Sequence, residues 1–319
     1  MPINDRAITE VKKSVVLLFA GQGAQEVGMG LKLVEEYPEA KKMFDMANER
    51  LGFNLNEIMF EGPDDELTKT SVCQPALYLH GLATWEILKS RCPDLIPVAA
   101  AGLSLGEFTA YSAAGAYSFE RGLDIVSKRG QYMESACNET KGSMAAIIGG
   151  DEDSVQNLAS EFDLDVANYN APGQIVISGE IDKIKSALEK VKEYGARMGK
   201  ELVVAGAYHS RLMVNAQNQL ADELKNVSLS TPLFPVISNV EANEISGEEE
   251  IKSALERQVT GSVRWSQSME FLIDQGHELF IEFSPKPVLA GLMARIKKGT
   301  NVISVGDPSS IDAAVESLS

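Results

Sequence analysis

The sequence predicts an α/β protein whose parallel-sheet core is interrupted by a smaller βαββαβ unit. Two short apolar runs each lead into a glycine-rich turn and then a helical pattern, the order found in parallel sheets. Near the middle the rhythm changes to short strands alternating with two helices. The 319 residues suffice for one large domain or two unequal ones.

Taken in order, the first run is Ser-Val-Val-Leu-Leu-Phe-Ala at 14–20, continuous enough for a strand buried on both faces. It ends in Gly21-Gln22-Gly23-Ala24-Gln25. A helical stretch is expected over about 31–51, and another over about 74–90 with Leu77, Leu82, Trp85 and Leu88 at helical spacing. Residues 97–101, Pro-Val-Ala-Ala-Ala, form the second buried-strand candidate, followed by Gly102-Leu103-Ser104-Leu105-Gly106 and a small-residue helix over about 106–116. In the central region, 144–148 reads as a strand and 151–162 as a helix with acidic residues in its first turn, where the dipole favours them. Residues 166–169 and 174–178 read as strands joined through Asn170-Ala171-Pro172-Gly173. Residues 180–194 form an amphipathic helix with Ile181, Ile184, Leu188 and Val191 on one stripe, and 201–205 reads as the closing strand. This βαββαβ order is that of a ferredoxin-like unit. The division expected is a subdomain over 139–207 inserted into a core of 1–138 and 208–319. Residues 235–238 and 278–282 are further strand candidates, and no internal repeat is present.

Composition limits the function. Apolar residues at 44% and charged residues at 24% fit a folded globular chain and exclude a mainly disordered one. Lys and Arg number 29 against 46 Asp and Glu, a net charge of −17, which argues against a nucleic-acid partner. No apolar run approaches the roughly 20 residues that span a bilayer. Residues 1–13 lack the apolar core of a secretory signal. Cys73, Cys92 and Cys137 fit no zinc or redox spacing. A cytoplasmic protein without a metal or resident cofactor is expected.

Gly102-Leu103-Ser104-Leu105-Gly106 matches the Gly-x-Ser-x-Gly nucleophile elbow. A serine on a sharp strand-to-helix turn projects its hydroxyl out of the sheet, beside helix N–H groups that suit a developing oxyanion. Its general base is sought among three histidines. His80 lies on an amphipathic helical stretch beside Leu77 and Leu79 and reads as structural, and His277 reads as a solvated turn residue. His209, in Gly206-Ala207-Tyr208-His209-Ser210, sits where the inserted unit rejoins the core, a favoured place for a site. The Gly21 to Gln25 loop lacks both P-loop and dinucleotide signatures. It reads either as a plain polar loop or as a donor aimed at the elbow. Arg129 matters if the site binds a carboxylate, which a guanidinium grips with two parallel bonds. Elbow and base alone also fit a serine hydrolase such as a thioesterase, or a non-catalytic module keeping the fold.

Motifs along nearly the whole chain, about 14–298, together resemble the malonyl-CoA:acyl carrier protein transacylases, the malonyltransferases of fatty acid synthesis. Besides the two glycine loops and Glu107, they are Arg129 with Met133, Gly142-Ser143-Met144-Ala145-Ala146, and Asn168-Tyr169-Asn170-Ala171-Pro172-Gly173-Gln174. Gly206 to Ser210 with Leu212-Met213, Gln258 with Val263-Arg264-Trp265, and Glu282 with Pro285 complete the set.

The resemblance implies an α/β-hydrolase-like core with a ferredoxin-like subdomain. It implies Ser104 as the nucleophile that carries the malonyl ester and His209 as base and then acid. The imidazole is oriented by a backbone carbonyl near Gln258 rather than by an acid. Gln22 and the Leu105 N–H would form the oxyanion hole, and Arg129 would hold the malonyl carboxylate. Tyr208 and Leu105 would crowd a 2-methyl group, and Met133 would line the substrate site. The implied reaction is ping-pong, from malonyl-CoA to the phosphopantetheine thiol of holo-acyl carrier protein, in fatty acid rather than polyketide synthesis. Because carrier proteins are acidic and so is this chain, docking would need a local basic patch, with Lys128, Arg211, Arg295, Lys297 and Lys298 as candidates. Two positions depart from the family pattern: Leu103 stands where a His usually precedes the serine, and Arg211 where a Pro is common.

Overall fold

Val15, Val16, Leu17, Leu18 and Phe19 have no exposed surface, so the first strand is covered on both faces. This computed structural model describes residues 13–318. The polar stretch 1–12, read above as carrying no secretory signal, lies outside the described residues.

The strands in chain order are β1 (Lys13–Phe19), β2 (Leu95–Gly102), β3 (Gly142–Ile148), β4 (Asp165–Ala171), β5 (Gln174–Glu180), β6 (Met198–Glu201), β7 (Val236–Ile237), β8 (Leu279–Phe283) and β9 (Asn301–Val305). Five form a sheet in the order β7-β2-β1-β8-β9, and every neighbouring pair is parallel. Phe19 aligns with Gly102 on one side and Phe283 on the other, so three strands end together. Sites on open α/β sheets form at this carboxyl edge. The small-residue segment Ala99 to Ala101 lets helices approach β2, and Phe19 stacks on Phe283 with ring centroids 5.3 Å apart.

The other four strands form an antiparallel sheet in the order β4-β5-β3-β6, the order of a ferredoxin-like unit. The helices Glu152–Glu161 and Ile181–Lys190 cover it, burying Val155, Leu158, Ile184 and Ala187 in a second, smaller core. Its edge strand β4 is stitched to the larger unit. Tyr169 N–H donates to the Val263 carbonyl at 2.9 Å, and Val263 N–H to the Ala167 carbonyl at 2.8 Å.

Several elements differ from the sequence reading. The stretch 31–51 is two helices, Leu31–Glu36 and Pro38–Leu51, because Tyr37 precedes a proline and turns extended. The long helix starts at Thr70 rather than near 74 and carries Pro75 within it. The strand expected at 201–205 is instead β6 at Met198–Glu201. A side chain at Gly199 would collide with Leu188, which sets this strand against its helix, while Leu202, Val203 and Val204 run on into a cleft wall. The amphipathic helix ends at Lys190, short of 194. β9 adds an edge strand that the sequence reading does not include.

Candidate active site

At the carboxyl end of β2, Ser104 adopts φ 53° and the helix Leu105–Ala113 begins directly after it. A non-glycine residue in this region stores strain of about 1–3 kcal/mol. Close packing enforces the turn: a side chain at Gly106 would lie 2.1 Å from the Phe19 carbonyl oxygen. One at Gly21 would lie 2.3 Å from the Leu103 carbonyl oxygen, so the first glycine loop abuts the elbow. Asn239 clamps the elbow from beneath. Its Oδ1 accepts the Ser104 N–H at 2.7 Å and its Nδ2 donates to the Gly102 carbonyl at 2.7 Å. Asn239 is a site residue the sequence reading missed, since no local pattern marks a residue that acts 135 positions away.

The structure brings His209 to Ser104. Its Nδ1 faces the Gln258 carbonyl at 2.8 Å, which can only accept, so that nitrogen carries the proton. Nε2 is then left to accept from the Ser104 hydroxyl at 2.8 Å. His209 also has a left-handed backbone, φ 54°. Burial, and then the Arg129 cation, push its pKa down to about 4, opposed by the Gln258 and Gly261 carbonyls. At neutral pH the imidazole is free to take a proton. No carboxylate among the described residues is hydrogen-bonded to this imidazole.

Arg129, on the helix Phe119–Glu139, is 1% exposed and has no carboxylate within ion-pair distance among the described residues. Nη1 donates to Gln74 Oε1 at 2.7 Å, and Nη2 to Gln258 Oε1 at 2.8 Å and to Ser104 Oγ at 3.1 Å. The guanidinium lies 5.1 Å from the Phe108 ring centroid. Burial lowers its pKa to about 10, so it stays charged. Beneath the elbow is the fully buried Glu107, whose Oε2 accepts from Gln258 Nε2 at 2.6 Å and from Asn239 N–H at 3.2 Å. Burial raises its carboxyl to about 7, against the pull of those bonds and of Arg129. Gln74 and Glu107, like Asn239, were not among the expected site residues.

Ser104, His209, Arg129 and Gln74 face a cleft of about 240 Å³ between the two sheets' units. Gln22, Leu103, Ser104, Leu105, Arg129, Met133, Tyr208 and His209 all line it. Leu105 is the first residue of its helix, so its N–H has no acceptor there. Gln22 Oε1 accepts weakly from Thr70 at 3.5 Å, and the Tyr208 hydroxyl bonds Thr70. Met133 accepts from Gln74 Nε2 through sulfur at 3.4 Å. Val203, fully exposed, stands on the wall formed by the inserted unit.

Gln258 itself has its side chain turned toward Arg129 and Glu107, while its backbone serves the histidine. His80 is buried and bonds the Gly306 carbonyl at 2.9 Å, a structural place, and His277 is partly buried just before β8. Among the basic candidates, Lys128, Arg295, Lys297 and Lys298 are exposed. Arg211 is not free: its guanidinium bridges Asp163 at 2.6 Å and Asp165 at 2.8 Å, two acids close in sequence on the inserted unit. It therefore drops out of the expected patch.

The acyl transferase domain family matches residues 16–307. A malonyl CoA-acyl carrier protein transacylase of Bacillus subtilis is 39% identical over 309 residues, covering 95% of this chain and 97% of that protein. A polyketide biosynthesis malonyl CoA-acyl carrier protein transacylase of the same organism is 41% identical, over 89% of this chain and 97% of that one. Among solved structures, a malonyl-transacylase in complex with its type II PKS acyl-carrier protein superimposes with a TM-score of 0.92 at 34% identity, covering 96% of this chain and 100% of that one. The sheet orders and the elbow agree with these likenesses, and the chain belongs to the acyl transferase family, among its malonyl CoA-acyl carrier protein transacylases.

Proposed function

We propose that this chain transfers a malonyl group from malonyl-CoA to the phosphopantetheine thiol of holo-acyl carrier protein, through an ester on Ser104, in fatty acid synthesis. The observation that carries this reading is Arg129: a buried guanidinium 3.1 Å from the nucleophile with no carboxylate within ion-pair distance among the described residues. A desolvated cation that touches no carboxylate is costly unless the substrate supplies one. A simple hydrolase has no use for it, and a non-catalytic module has no use for the Ser104–His209 pair.

In this mechanism His209 Nε2 takes the Ser104 proton as Oγ attacks the thioester carbon. The oxyanion is met by the Leu105 N–H and by Gln22, and the proton passes to the departing CoA sulfur. The carrier thiol then runs the same steps in reverse. Tyr208, Met133 and Leu105 shape the acyl pocket, and the bulk of Tyr208 and Leu105 disfavours a 2-methyl group. The catalytic pair lies where the core, 1–138 and 208–319, meets the inserted 139–207 unit, and that division is part of the proposal. No helix among the described residues is long and apolar enough to cross a membrane. We assign the activity to the cytoplasm, with no nucleic-acid partner.

The test is incubation with malonyl-CoA followed by intact-mass analysis. One malonyl adduct is expected on Ser104, discharged by holo-acyl carrier protein faster than by water; hydrolysis outrunning transfer would overturn the reading. Docking is assigned to Lys128 with the Arg295, Lys297 and Lys298 cluster. Charge reversal there should raise KM for the carrier protein and spare that for malonyl-CoA, and equal effects on both substrates defeat the assignment.

The depressed His209 pKa sets a pH profile. The imidazole is the reactive base in its neutral form, which persists down to about pH 4. Single-turnover acylation should therefore stay flat from pH 8 to about 5 and fall only below that. An acid limb near the ordinary histidine value of about 6.5 would contradict the buried, Arg129-facing geometry.

A further inference from the structure

We propose that Glu107 is a positioning residue for acyl selection: its carboxylate anchors the Gln258 amide through the shortest bond the amide makes, and the amide in turn holds Arg129 where an acyl carboxylate meets it. The inference rests on the malonyl-transfer reading above.

Gln258 touches all three groups of the site. Its main-chain oxygen takes the His209 Nδ1–H, its Oε1 takes Arg129 Nη2–H, and its Nε2 donates to the Ser104 carbonyl at 2.9 Å and to Glu107 Oε2 at 2.6 Å. An amide has one accepting and one donating end. Arg129 only donates, so it requires Oε1, while the Ser104 carbonyl and Glu107 require Nε2. Glu107 supplies the shortest of these bonds and is itself held by the Asn239 N–H. With that acceptor gone, Nε2 keeps the Ser104 carbonyl and, at 3.5 Å, Asn239 Oδ1, but the amide loses its shortest bond and shifts, drawing Oε1 away from the guanidinium. Arg129 then keeps Gln74 and the Ser104 hydroxyl in place but meets Gln258 less firmly.

The division of labour within Gln258 makes the consequence specific. His209 is oriented by the main chain, which an amide rotation does not move. Loss of Glu107 therefore reaches the acyl carboxylate through Arg129 and leaves the main-chain bond that orients His209 in place. The charge of Glu107 is not what matters here. Its Oε2 takes the bonds from Gln258 and Asn239, so a proton placed on Oε1 leaves Oε2 an acceptor.

The experiment measures kcat and KM for malonyl-CoA and acetyl-CoA, with holo-acyl carrier protein as acceptor, in the wild type, Glu107→Ala and Glu107→Gln. Glu107→Ala should lower the malonyl-to-acetyl ratio of kcat/KM by about 10- to 100-fold, mainly through KM for malonyl-CoA. Glu107→Gln keeps an oxygen acceptor and should restore the ratio. A folded Glu107→Ala with an unchanged ratio overturns the proposal, as does Glu107→Gln matching Glu107→Ala. Gln258→Met, which removes the amide but keeps the main-chain carbonyl, serves if Glu107→Ala does not fold. It should reproduce the loss of ratio, and an unchanged ratio overturns the proposal equally. A wild type that transfers malonyl while the variants keep its ratio sinks this inference alone, whereas a wild type that transfers no malonyl sinks the functional reading with it.

Discussion

Ser104→Ala is expected to yield a folded protein that never gains a malonyl adduct and whose transfer falls on the order of 10⁶-fold. The size follows from the chemistry: without Oγ there is no ester, and His209 has no proton to take. The fold should survive because alanine meets the same left-handed backbone as serine and leaves the Asn239 clamp, which holds main-chain atoms on the elbow, untouched. A malonyl adduct still forming on the variant would remove Ser104 as nucleophile. His209→Ala should be milder, about 10²–10⁴-fold in single-turnover acylation, unless the pair acts as a unit.

The second large effect concerns which acyl group is accepted. Malonyl and acetyl differ by one carboxylate, and Arg129 is the cation placed to read it. Bound acetyl would leave the guanidinium desolvated with only neutral acceptors, Gln74, Gln258 and Ser104. Arg129→Ala should therefore lose malonyl transfer and gain relative acetyl transfer, a change of roughly 2–5 kcal/mol, or about 30-fold to several thousand-fold in the ratio. Arg129→Lys should recover only part, because an ammonium lacks the planar fork. If Arg129 were only a brace between helices, both transfers would fall together and the ratio would hold. Rates with the two thioesters on folded variants separate these outcomes.

The elbow and its partners were legible to different degrees. Gly102 to Gly106 announced itself because strand, turn and helix are contiguous, and the constraint that makes Gly106 a glycine, contact with the Phe19 carbonyl, acts at the end of an equally plain strand. The amphipathic stripe through Ile184 placed the helices of the smaller sheet. What stayed hidden came from distant segments. Asn239 and Gln74 lie on no recognisable pattern, and their roles exist only once three strands end together. Glu107 stood in a quoted motif, yet sequence alone does not show that its carboxylate turns inward beneath the serine. The run Leu202 to Val204 misled for a physical reason: apolar residues suit a cleft wall as well as a strand. Arg211 misled likewise, because charge counted along the chain does not reveal that Asp163 and Asp165 already occupy it.

Four described residues other than glycine have left-handed backbone, and two of them are Ser104 and His209. Chain segments under this kind of tension would relax if either residue became glycine, which adopts such angles freely. The two positions most needed for turnover thus carry side chains that their own backbone angles disfavour. Backbone conformation gives no reason to keep a serine or a histidine at positions 104 and 209; the demand for acyl transfer does.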